Sequence, residues 1–260
     1  MNEVNKTLYI PLYGKALVSK KGIILDDSTA EHIWEREGFT LKGKSKSKWL
    51  AYYMGMRSRV FDDWLAERMG EKTDAAVIHI GCGLDSRINR VSAQGHPWYD
   101  VDFPEVIDER KKYYTEDGCY KMICSDVSRE GWLNAVPTSN NAIVVMEGVS
   151  MYLTSGQLHA LVSELCARFD GLSLLVDCYT TFAAKASKVK NPINDVGVTE
   201  VYGIDDPKSI EVAGLCFVKE HSMTPSYLID ELSGMEKAIF SKLYAGNMSK
   251  RLYKLYEYKK

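Results

Sequence analysis

The sequence has none of the charge excess that nucleic-acid-binding proteins carry. Lysine and arginine number 33 and aspartate and glutamate 35, so the formal net charge at pH 7 is −2. Nucleic-acid-binding domains usually have a basic patch or stripe. The one lysine-rich segment, residues 42–49, fits a solvated approach to a helix better than an anion site. We therefore expect no nucleic-acid partner.

Long apolar runs are also missing. Pro11, Gly14 and Lys15 interrupt the most apolar stretch near the start of the chain, LYIPLYGKALV. Elsewhere no stretch approaches the roughly 20 apolar residues that a membrane-spanning helix needs. We therefore expect neither a signal peptide nor a membrane span, and a cytoplasmic location.

Cysteines and histidines lack the spacing of metal sites or disulfide frameworks. None of the six cysteines forms a CxxC pair, and the five histidines are scattered. Several cysteines lie in apolar runs, such as Cys124 in KMIC and Cys178 in LLVDC, as reduced core cysteines do. His79 and His159 fall within a predicted strand and a predicted helix, and both are interpreted as structural. We expect no metal ion.

From about residue 75 onward, apolar runs alternate with helix-like segments. The segment 154–169 has Thr154 as a candidate N-cap and an apolar stripe behind it. Strands that alternate with helices predict a doubly wound α/β fold, with helices on both faces of a mostly parallel sheet. Two apolar segments near the end, GLCFVKEHSM and RLYKLYEYKK, bring the strands to about seven. The other five are predicted at 75–80, 97–101, 119–124, 142–146 and 171–178.

Two further regions differ from this alternation. Residues 1–70 have only helical patterns and are predicted to form an N-terminal extension or cap, which ends in a long helix near 47–69. The α/β domain would then occupy residues 71–260. Within it, residues 186–207 are weakly apolar and rich in loop formers, so we expect a lid-like insertion.

Charged and glycine residues follow four successive predicted strands. The segment IHIGCGLDSRINR, residues 78–90, leads from a strand into the turn Gly81-Cys82-Gly83. Asp102, Asp126 and Glu147 stand at the ends of the next three strands. Ligands of open α/β sheets bind beyond the carboxyl ends of the strands. The sequence therefore predicts a ligand site along this edge.

The acidic residues favour a ligand without a pyrophosphate. Asp102 follows Gly83 by 19 residues, where an acid commonly accepts hydrogen bonds from ribose hydroxyls. Asp126 is either a helix N-cap or a ligand contact, whereas Glu147 is harder to explain structurally. Asp85, placed in the first turn of the following helix, would repel a pyrophosphate. S-adenosylmethionine, which has no phosphate, fits these residues.

One arginine of the long N-terminal helix faces the predicted core. Arg57 falls on the apolar stripe of that helix, and Arg59 falls on the opposite face. A buried arginine needs an anionic partner. That partner is either one of the strand-end acids or the carboxylate of the cofactor. The stripe consists of Leu50, Met54, Phe61, Trp64 and Leu65.

Three ordered segments resemble the leucine carboxyl methyltransferase family. They are IHIGCGLDSR, WYDVDFPEVIDERK and MEGVSMYLT, and the resemblance spans most of residues 9–154. The family includes bacterial O-methyltransferases like the tetracenomycin polyketide enzyme. The N-terminal segments LYIPLYGKAL and RSRVFDDWL are also similar to the family's helical lead-in.

The resemblance implies a Rossmann-like class I methyltransferase fold that binds S-adenosylmethionine. By this resemblance Gly81 and Gly83 pack against the cofactor and Asp102 contacts the ribose, and Cys82 and Phe103 are further cofactor-binding residues. Tyr152 would face the acceptor, although it could equally be an ordinary packing residue. Arg87 would pair with Asp85, Asp102 or the substrate. The resemblance also puts Asp126 and Val127 beside the adenine and Glu147 near the methionine end. Arg57 would bind the carboxylate of the cofactor. Lys15 would assist Arg57, or else is simply an exposed lysine.

Two positions depart from the family pattern. Ser86 replaces the commoner threonine, which is a mild change. Ser128 stands where the leucine carboxyl enzymes have an arginine that contacts the acceptor carboxylate. This favours the branch with small-molecule acceptors over one that acts on a protein tail.

The expected function is O-methylation of a small molecule, at a carboxylate or a phenolic hydroxyl. A carboxylate is already ionised at neutral pH and needs no general base, whereas a hydroxyl would need one. No histidine is obviously placed for that role. Two alternatives stay open. An NAD-dependent oxidoreductase uses a similar glycine turn, and a non-catalytic protein could bind the same cofactor.

Overall fold

The computed structural model describes residues 8–41, 43–190 and 200–260. Before the first strand the described residues form three α-helices and a 3₁₀ turn at Gly43–Lys46, which agrees with the helical pattern of the sequence. The α-helices are α1 (Tyr9–Lys20), α2 (Ser28–Glu37) and α3 (Lys48–Glu71).

The rest of the described chain alternates strands and helices as predicted. The strands are β1 (Ala76–Ile80), β2 (Trp98–Asp102), β3 (Tyr120–Cys124), β4 (Asn141–Met146), β5 (Gly171–Tyr179), β6 (Cys216–His221) and β7 (Tyr253–Lys259). The helices are α4 (Arg87–Val91), α5 (Pro104–Arg110), α6 (Ser155–Arg168), α7 (Thr181–Lys190), α8 (Ser226–Ile229), α9 (Gly234–Leu243) and α10 (Asn247–Leu252).

The seven strands form one sheet in the order β3-β2-β1-β4-β5-β7-β6. Strands β1 to β5 pair in parallel, and only β7 runs antiparallel to its two neighbours. The chain order reverses at β1, which lies between β2 and β4. That reversal opens a crevice at the carboxyl ends of β1 and β4, where ligands of this architecture bind.

Each face of the sheet is covered by its own apolar core. Val77, Val145 and Leu175 pack on one face with α1, α2 and α3, while Ile78 and Val144 pack on the other face with α6. Successive strand residues point to opposite faces, so these near-continuous apolar runs are buried on both sides. Helix α6 begins as predicted at Thr154, which forms a capping box with Gln157.

Helix α3 is buried more completely than its sequence stripe predicted. All residues from Ala51 to Ser58 are buried, including Tyr52 and Met56, which lie off the stripe. Leu50, which lies on the stripe, is only half-buried. The reason is that α3 lies between the sheet and α1, so that more than one of its faces packs. Arg59 does lie on an exposed side, where it pairs with Asp63 at 2.7 Å.

The cysteines are all free, but only half of them are in the core. Cys82, Cys166 and Cys178 are buried, whereas Cys119, Cys124 and Cys216 are exposed. The prediction of a core position for Cys124 was wrong. It ends β3, an edge strand whose outer face is only partly covered.

The predicted lid lies only partly within the described chain. Its first residues end α7, and residues 191–199 lie outside the described residues. From residue 200 the chain is irregular up to a short 3₁₀ turn at Pro207–Ile210. Across the ranges 8–41, 43–190 and 200–260, no helix is long and apolar enough to cross a membrane, and no cluster of three or more potential metal ligands occurs.

Candidate functional site

A cavity of about 610 Å³ opens at the carboxyl ends of the parallel strands. Tyr152 and every residue predicted to contact the cofactor line this cavity. The volume lies within the range of small-molecule and cofactor sites. The predicted contacts are Lys15, Arg57, Gly81, Cys82, Gly83, Asp102, Phe103, Asp126, Val127 and Glu147.

The glycine turn forms one wall of the cavity with bare backbone. Gly81 and Gly83 have φ angles of +65° and +52°, which favour glycine. A Cβ atom on Gly81 would lie 2.2 Å from Val149 Cγ2, so a side chain has no room there. Behind the turn, buried Arg110 donates hydrogen bonds to the carbonyls of Gly83 (3.0 Å) and Asp85 (2.7 Å). The turn is therefore held rigidly against the cavity.

Asp102 lies at the end of β2 with its carboxylate anchored to the backbone. Its two oxygens accept hydrogen bonds from the N–H groups of Gly83 and Phe103, both at 2.8 Å. Removal from water raises the pKa of Asp102 to about 6, although these hydrogen bonds act in the opposite direction. Each oxygen keeps a second lone pair, so the carboxylate can accept further hydrogen bonds from a ligand.

Asp126 caps a turn rather than a helix, so the predicted helix N-cap was wrong. It accepts hydrogen bonds from Ser128 N (3.0 Å), Ser128 Oγ (2.6 Å) and Arg129 Nε (2.9 Å). Burial raises the pKa of Asp126, but these hydrogen bonds outweigh it and the net shift is downward. Residues 127–130 form turns, and only a short 3₁₀ helix follows at Trp132–Ala135. Ser128, where the family has arginine, thus orients Asp126.

Asp85 lies before α4 and is surrounded by cations. Its carboxylate pairs with Lys15 Nζ at 2.9 Å, Arg90 Nη1 at 2.8 Å and Arg87 Nη2 at 3.3 Å. Burial opposes ionisation, but the three cations hold the pKa of Asp85 well below its usual range. Asp85 was predicted in the first helical turn, but it precedes the N-cap residue Ser86 and so lies just outside the helix. Lys15 is buried, which contradicts the alternative of an exposed lysine.

Arg57 is buried between two carboxylates and also lines the cavity. Its Nε lies 3.0 Å from Glu147 Oε1, and its Nη1 lies 2.9 Å from Asp177 Oδ2. Ser58 Oγ, one residue along α3, donates a second hydrogen bond to Glu147 at 3.1 Å. Burial opposes ionisation of Glu147, but the nearby Arg57, Lys15 and Arg87 lower its pKa to about 2. The internal ion pair anticipated for Arg57 is therefore formed.

Arg87 is not among the described residues that line the cavity. It is fully buried and binds Asp62 at 2.7 Å, Glu147, and Asp85 at 3.3 Å. The pairing with Asp85 agrees with prediction, whereas Asp62 and Glu147 were not anticipated. Arg87 thus binds Glu147, which lines the cavity, while Arg87 itself does not line it.

His79 contributes to the cavity wall from within β1. Its Nε2 lies 2.8 Å from Arg87 Nη1, which can only donate, so Nε2 accepts and Nδ1 carries the proton towards Asp100 at 3.3 Å. Burial and the neighbouring Arg87 lower the pKa of His79, which keeps the ring neutral at pH 7. His159 lies on α6 and bonds to the carbonyl of Ser209. Both histidines are therefore held in structural contacts.

The rest of the cavity lining is largely apolar. Its polar side-chain groups are mainly hydroxyls, including those of Tyr152 and Tyr179, and the exposed Lys44. Tyr179 and Tyr253 meet edge to face, with ring centroids 4.6 Å apart. Its apolar side chains come from the N-terminal helices and the later part of the chain: Leu8, Ile10, Leu12, Leu50, Met54, Met151, Ala183 and Leu252.

Four residues that shape the site were not predicted as site residues, although three of them lie in segments that carry the family resemblance. Ser58 and Asp62 lie on α3, Arg110 lies on α5, and Asp177 lies on β5. The charged residues Asp62, Arg110 and Asp177 are buried. Burial of a charged residue can sometimes be predicted when it interrupts an otherwise apolar element. Asp177 in LLVDC was such a case, because it interrupts a buried strand.

Comparisons with known proteins agree with this geometry. The model of the leucine carboxyl methyltransferase family matches residues 3–166. The tetracenomycin polyketide synthesis O-methyltransferase TcmP of Streptomyces glaucescens is 30% identical over 238 residues, covering 90% of this chain and 88% of the relative. The S-adenosyl-L-methionine-dependent methyltransferase dpfgK of Gibberella zeae is 27% identical, covering 79% of this chain and 77% of the relative.

The chain belongs to the leucine carboxyl methyltransferase family. It is therefore a methyltransferase with S-adenosylmethionine as its cofactor, as the three ordered segments indicated. Membership contradicts the alternative of an NAD-dependent oxidoreductase.

Solved structures agree on the fold. Magnesium protoporphyrin IX methyltransferase of Synechocystis, solved with bound cofactor, aligns with a TM-score of 0.53 at 11% identity, covering 95% of this chain and 97% of that chain. A DUF574 family protein of Streptomyces avermitilis aligns with a TM-score of 0.57 at 9% identity, covering 89% and 88%. The predicted class I methyltransferase fold is confirmed.

Proposed function

We propose that the protein transfers a methyl group from S-adenosylmethionine to an oxygen atom of a small, mainly apolar molecule, at a carboxylate or an acidic phenolic hydroxyl. The observation that carries the proposal is a single cavity whose lining combines two kinds of side chain. Charged side chains suit the cofactor, and aliphatic and aromatic side chains suit an apolar acceptor. The relative TcmP is named an O-methyltransferase of polyketide synthesis.

The cofactor contacts follow from the chemistry of the residues present. Asp102 accepts hydrogen bonds from the ribose hydroxyls, and the turn from Gly81 to Gly83 lets the backbone approach closely. Asp126 and Val127 would contact the adenine, and Phe103 would be a further cofactor contact. At the methionine end, Glu147 attracts the ammonium, while Arg57, assisted by Lys15, attracts the carboxylate.

In this site the protein contributes position and exclusion of water rather than a covalent step. When bound, the cofactor supplies an activated methyl group on a sulfonium. The lining residues would position the acceptor oxygen for transfer of that methyl group. Tyr152, in the 3₁₀ turn after β4, lines the cavity and would orient the acceptor, and the apolar lining would exclude water from it.

A carboxylate or an acidic phenol is the acceptor that best suits a cavity whose described lining offers no histidine free to act as a general base. Among the described lining residues the only histidine is His79, whose ring nitrogens face Arg87 and Asp100. A carboxylate, with an ordinary pKa of about 4, is already ionised and needs no base. An aliphatic alcohol would need one.

The test is a screen of carboxylic acids and phenols with radioactive methyl donor, followed by mild alkaline treatment of the product. Methyl esters release methanol under these conditions, whereas aryl methyl ethers are stable. Labelled product that is either labile or stable supports the proposal and assigns the acceptor group. Tight donor binding without transfer to any member of the panel contradicts the proposed class of acceptor.

A further inference from the structure

We infer that Asp177 is a positioning residue, which orients Arg57 towards the carboxylate of the cofactor and ties it to the loop that carries Tyr152. The inference rests on the proposed function, because it assumes the Arg57 contact. Asp177 lies outside the part of the chain that matches the family model, which ends at residue 166.

The Asp177 carboxylate joins two separate parts of the site. One oxygen, Oδ2, accepts a hydrogen bond from Arg57 Nη1 at 2.9 Å, and the other, Oδ1, accepts from the Gly148 N–H at 2.6 Å. The backbone carbonyl of Asp177 also accepts a hydrogen bond from Ser150 Oγ. One residue of β5 thus fixes both the guanidinium and the loop after β4.

The burial of Asp177 makes these contacts strong and specific. Its side chain is fully buried, and Arg57 is 3% exposed. Charge-assisted hydrogen bonds are stronger away from water, and an unpaired buried charge is costly. With Glu147 holding Nε and Asp177 holding Nη1, two edges of the planar guanidinium are fixed. The orientation of its remaining nitrogen, Nη2, is then set by the protein before any ligand binds.

Preorganisation of this kind has a measurable consequence. A guanidinium held in place loses less rotational freedom on binding a carboxylate. Removing the Asp177 charge should therefore weaken ligands that present a carboxylate to Arg57. Ligands that lack one should be little affected.

The experiment compares two ligands by calorimetry with wild-type protein and Asp177→Asn. S-adenosylhomocysteine carries the amino-acid carboxylate, and 5′-methylthioadenosine lacks it. We expect Asp177→Asn to weaken S-adenosylhomocysteine by about tenfold, the equivalent of one charge-assisted hydrogen bond, and 5′-methylthioadenosine by less than about twofold. Equal weakening of both ligands, or no change in either, overturns the inference.

A matched control separates this role from a general loss of stability. Glu257 on β7 is also a buried, paired carboxylate, 2.7 Å from His221, but it does not line the cavity. Glu257→Gln should leave the ratio of the two affinities unchanged. If wild-type protein binds neither ligand, the proposed function itself fails, whereas normal binding with an unchanged ratio in Asp177→Asn overturns only the inference.

A second variant tests the inference if Asp177→Asn does not fold. The double variant Arg57→Gln/Asp177→Asn removes both charges, so that no buried charge is left without a partner. Because Asp177 acts through Arg57, the double variant should have the same affinity ratio as Arg57→Gln alone. A further selective loss of S-adenosylhomocysteine in the double variant overturns the inference.

Discussion

Two sets of side chains at the site differ in kind: a buried network of charged groups, and the aliphatic and aromatic part of the cavity lining. The charged network balances its charges in closely spaced pairs, such as Arg57 with Glu147 at 3.0 Å and Lys15 with Asp85 at 2.9 Å. The apolar lining offers mainly shape and area. The carboxylates of the charged network are Asp62, Asp85, Glu147 and Asp177, and its cations are Lys15, Arg57, Arg87 and Arg90.

The difference suggests how the two ligands are selected. The charged network has a fixed arrangement, so we expect it to accept one cofactor with a defined pattern of charges. The apolar lining recognises shape and area, and one methylene group there changes discrimination by only about 1–3 kcal/mol. Strict cofactor specificity would then accompany a broader choice of acceptors.

The largest expected effect comes from breaking the charged network at its centre. In Arg87→Met, Asp62 and Glu147 lose a buried partner, and we expect the free energy of unfolding to fall by about 3–5 kcal/mol. Urea denaturation measures this loss. Arg59→Met, which removes a half-exposed pair with Asp63, should cost less than about 1 kcal/mol. Equal losses in the two variants would contradict the importance assigned to the buried network.

The next effect concerns the cofactor. Asp102→Asn should weaken S-adenosylmethionine by about 10- to 100-fold, because a charged acceptor of two ribose hydroxyls becomes a neutral one. Calorimetry measures the affinity, with Asp230→Asn as a control at an exposed carboxyl group far from the cavity lining. Unchanged affinity in Asp102→Asn would contradict the assignment of Asp102 to the ribose hydroxyls.

The pH dependence of cofactor binding sharpens the same assignment. The pKa of Asp102 is raised to about 6, so the carboxylate becomes protonated as pH falls through 6 and loses its accepting charge. We expect affinity to be nearly constant above pH 7, to fall below pH 6, and to level off about 10- to 100-fold lower, as for Asp102→Asn. Asp102→Asn should flatten this profile, and a profile identical to wild type would contradict the cause.

The smallest effect on function is expected for the substitution of Tyr152 in the cavity lining. Tyr152→Phe removes one hydroxyl, so we expect KM for the acceptor to rise by about 2- to 10-fold with unchanged affinity for S-adenosylhomocysteine. Steady-state kinetics with the acceptor found in the screen measures the change. Tyr227→Phe is the control, because Tyr227 is exposed and does not line the cavity. A loss of cofactor affinity in Tyr152→Phe would contradict the assignment of Tyr152 to the acceptor.

The fold was readable from the sequence because its signals are local. The predicted strands 75–80 and 142–146 correspond to β1 and β4 within one residue. The capping box at Thr154 also uses residues close in sequence. Alternating strands and helices restrict the topology strongly, which is why the strand-end residues Asp102 and Glu147 were expected to lie together.

The charged network was not readable in the same way, because its pairs are far apart in sequence. Asp177 and Arg57 are separated by 120 residues, and nothing near either residue marks the contact. Asp62 lies on a helix where a charged residue usually faces water. Cys124 shows the opposite error, since an apolar run on an edge strand was interpreted as core.

The most direct test of the central claim is calorimetric titration of S-adenosylmethionine and NAD into wild-type protein and Asp102→Ala. We predict micromolar binding of S-adenosylmethionine alone, and at least about a tenfold loss in the variant, as expected when a charge-assisted hydrogen bond is removed. Preference for NAD, or binding of S-adenosylmethionine that is equally tight in Asp102→Ala, would contradict the account of the site.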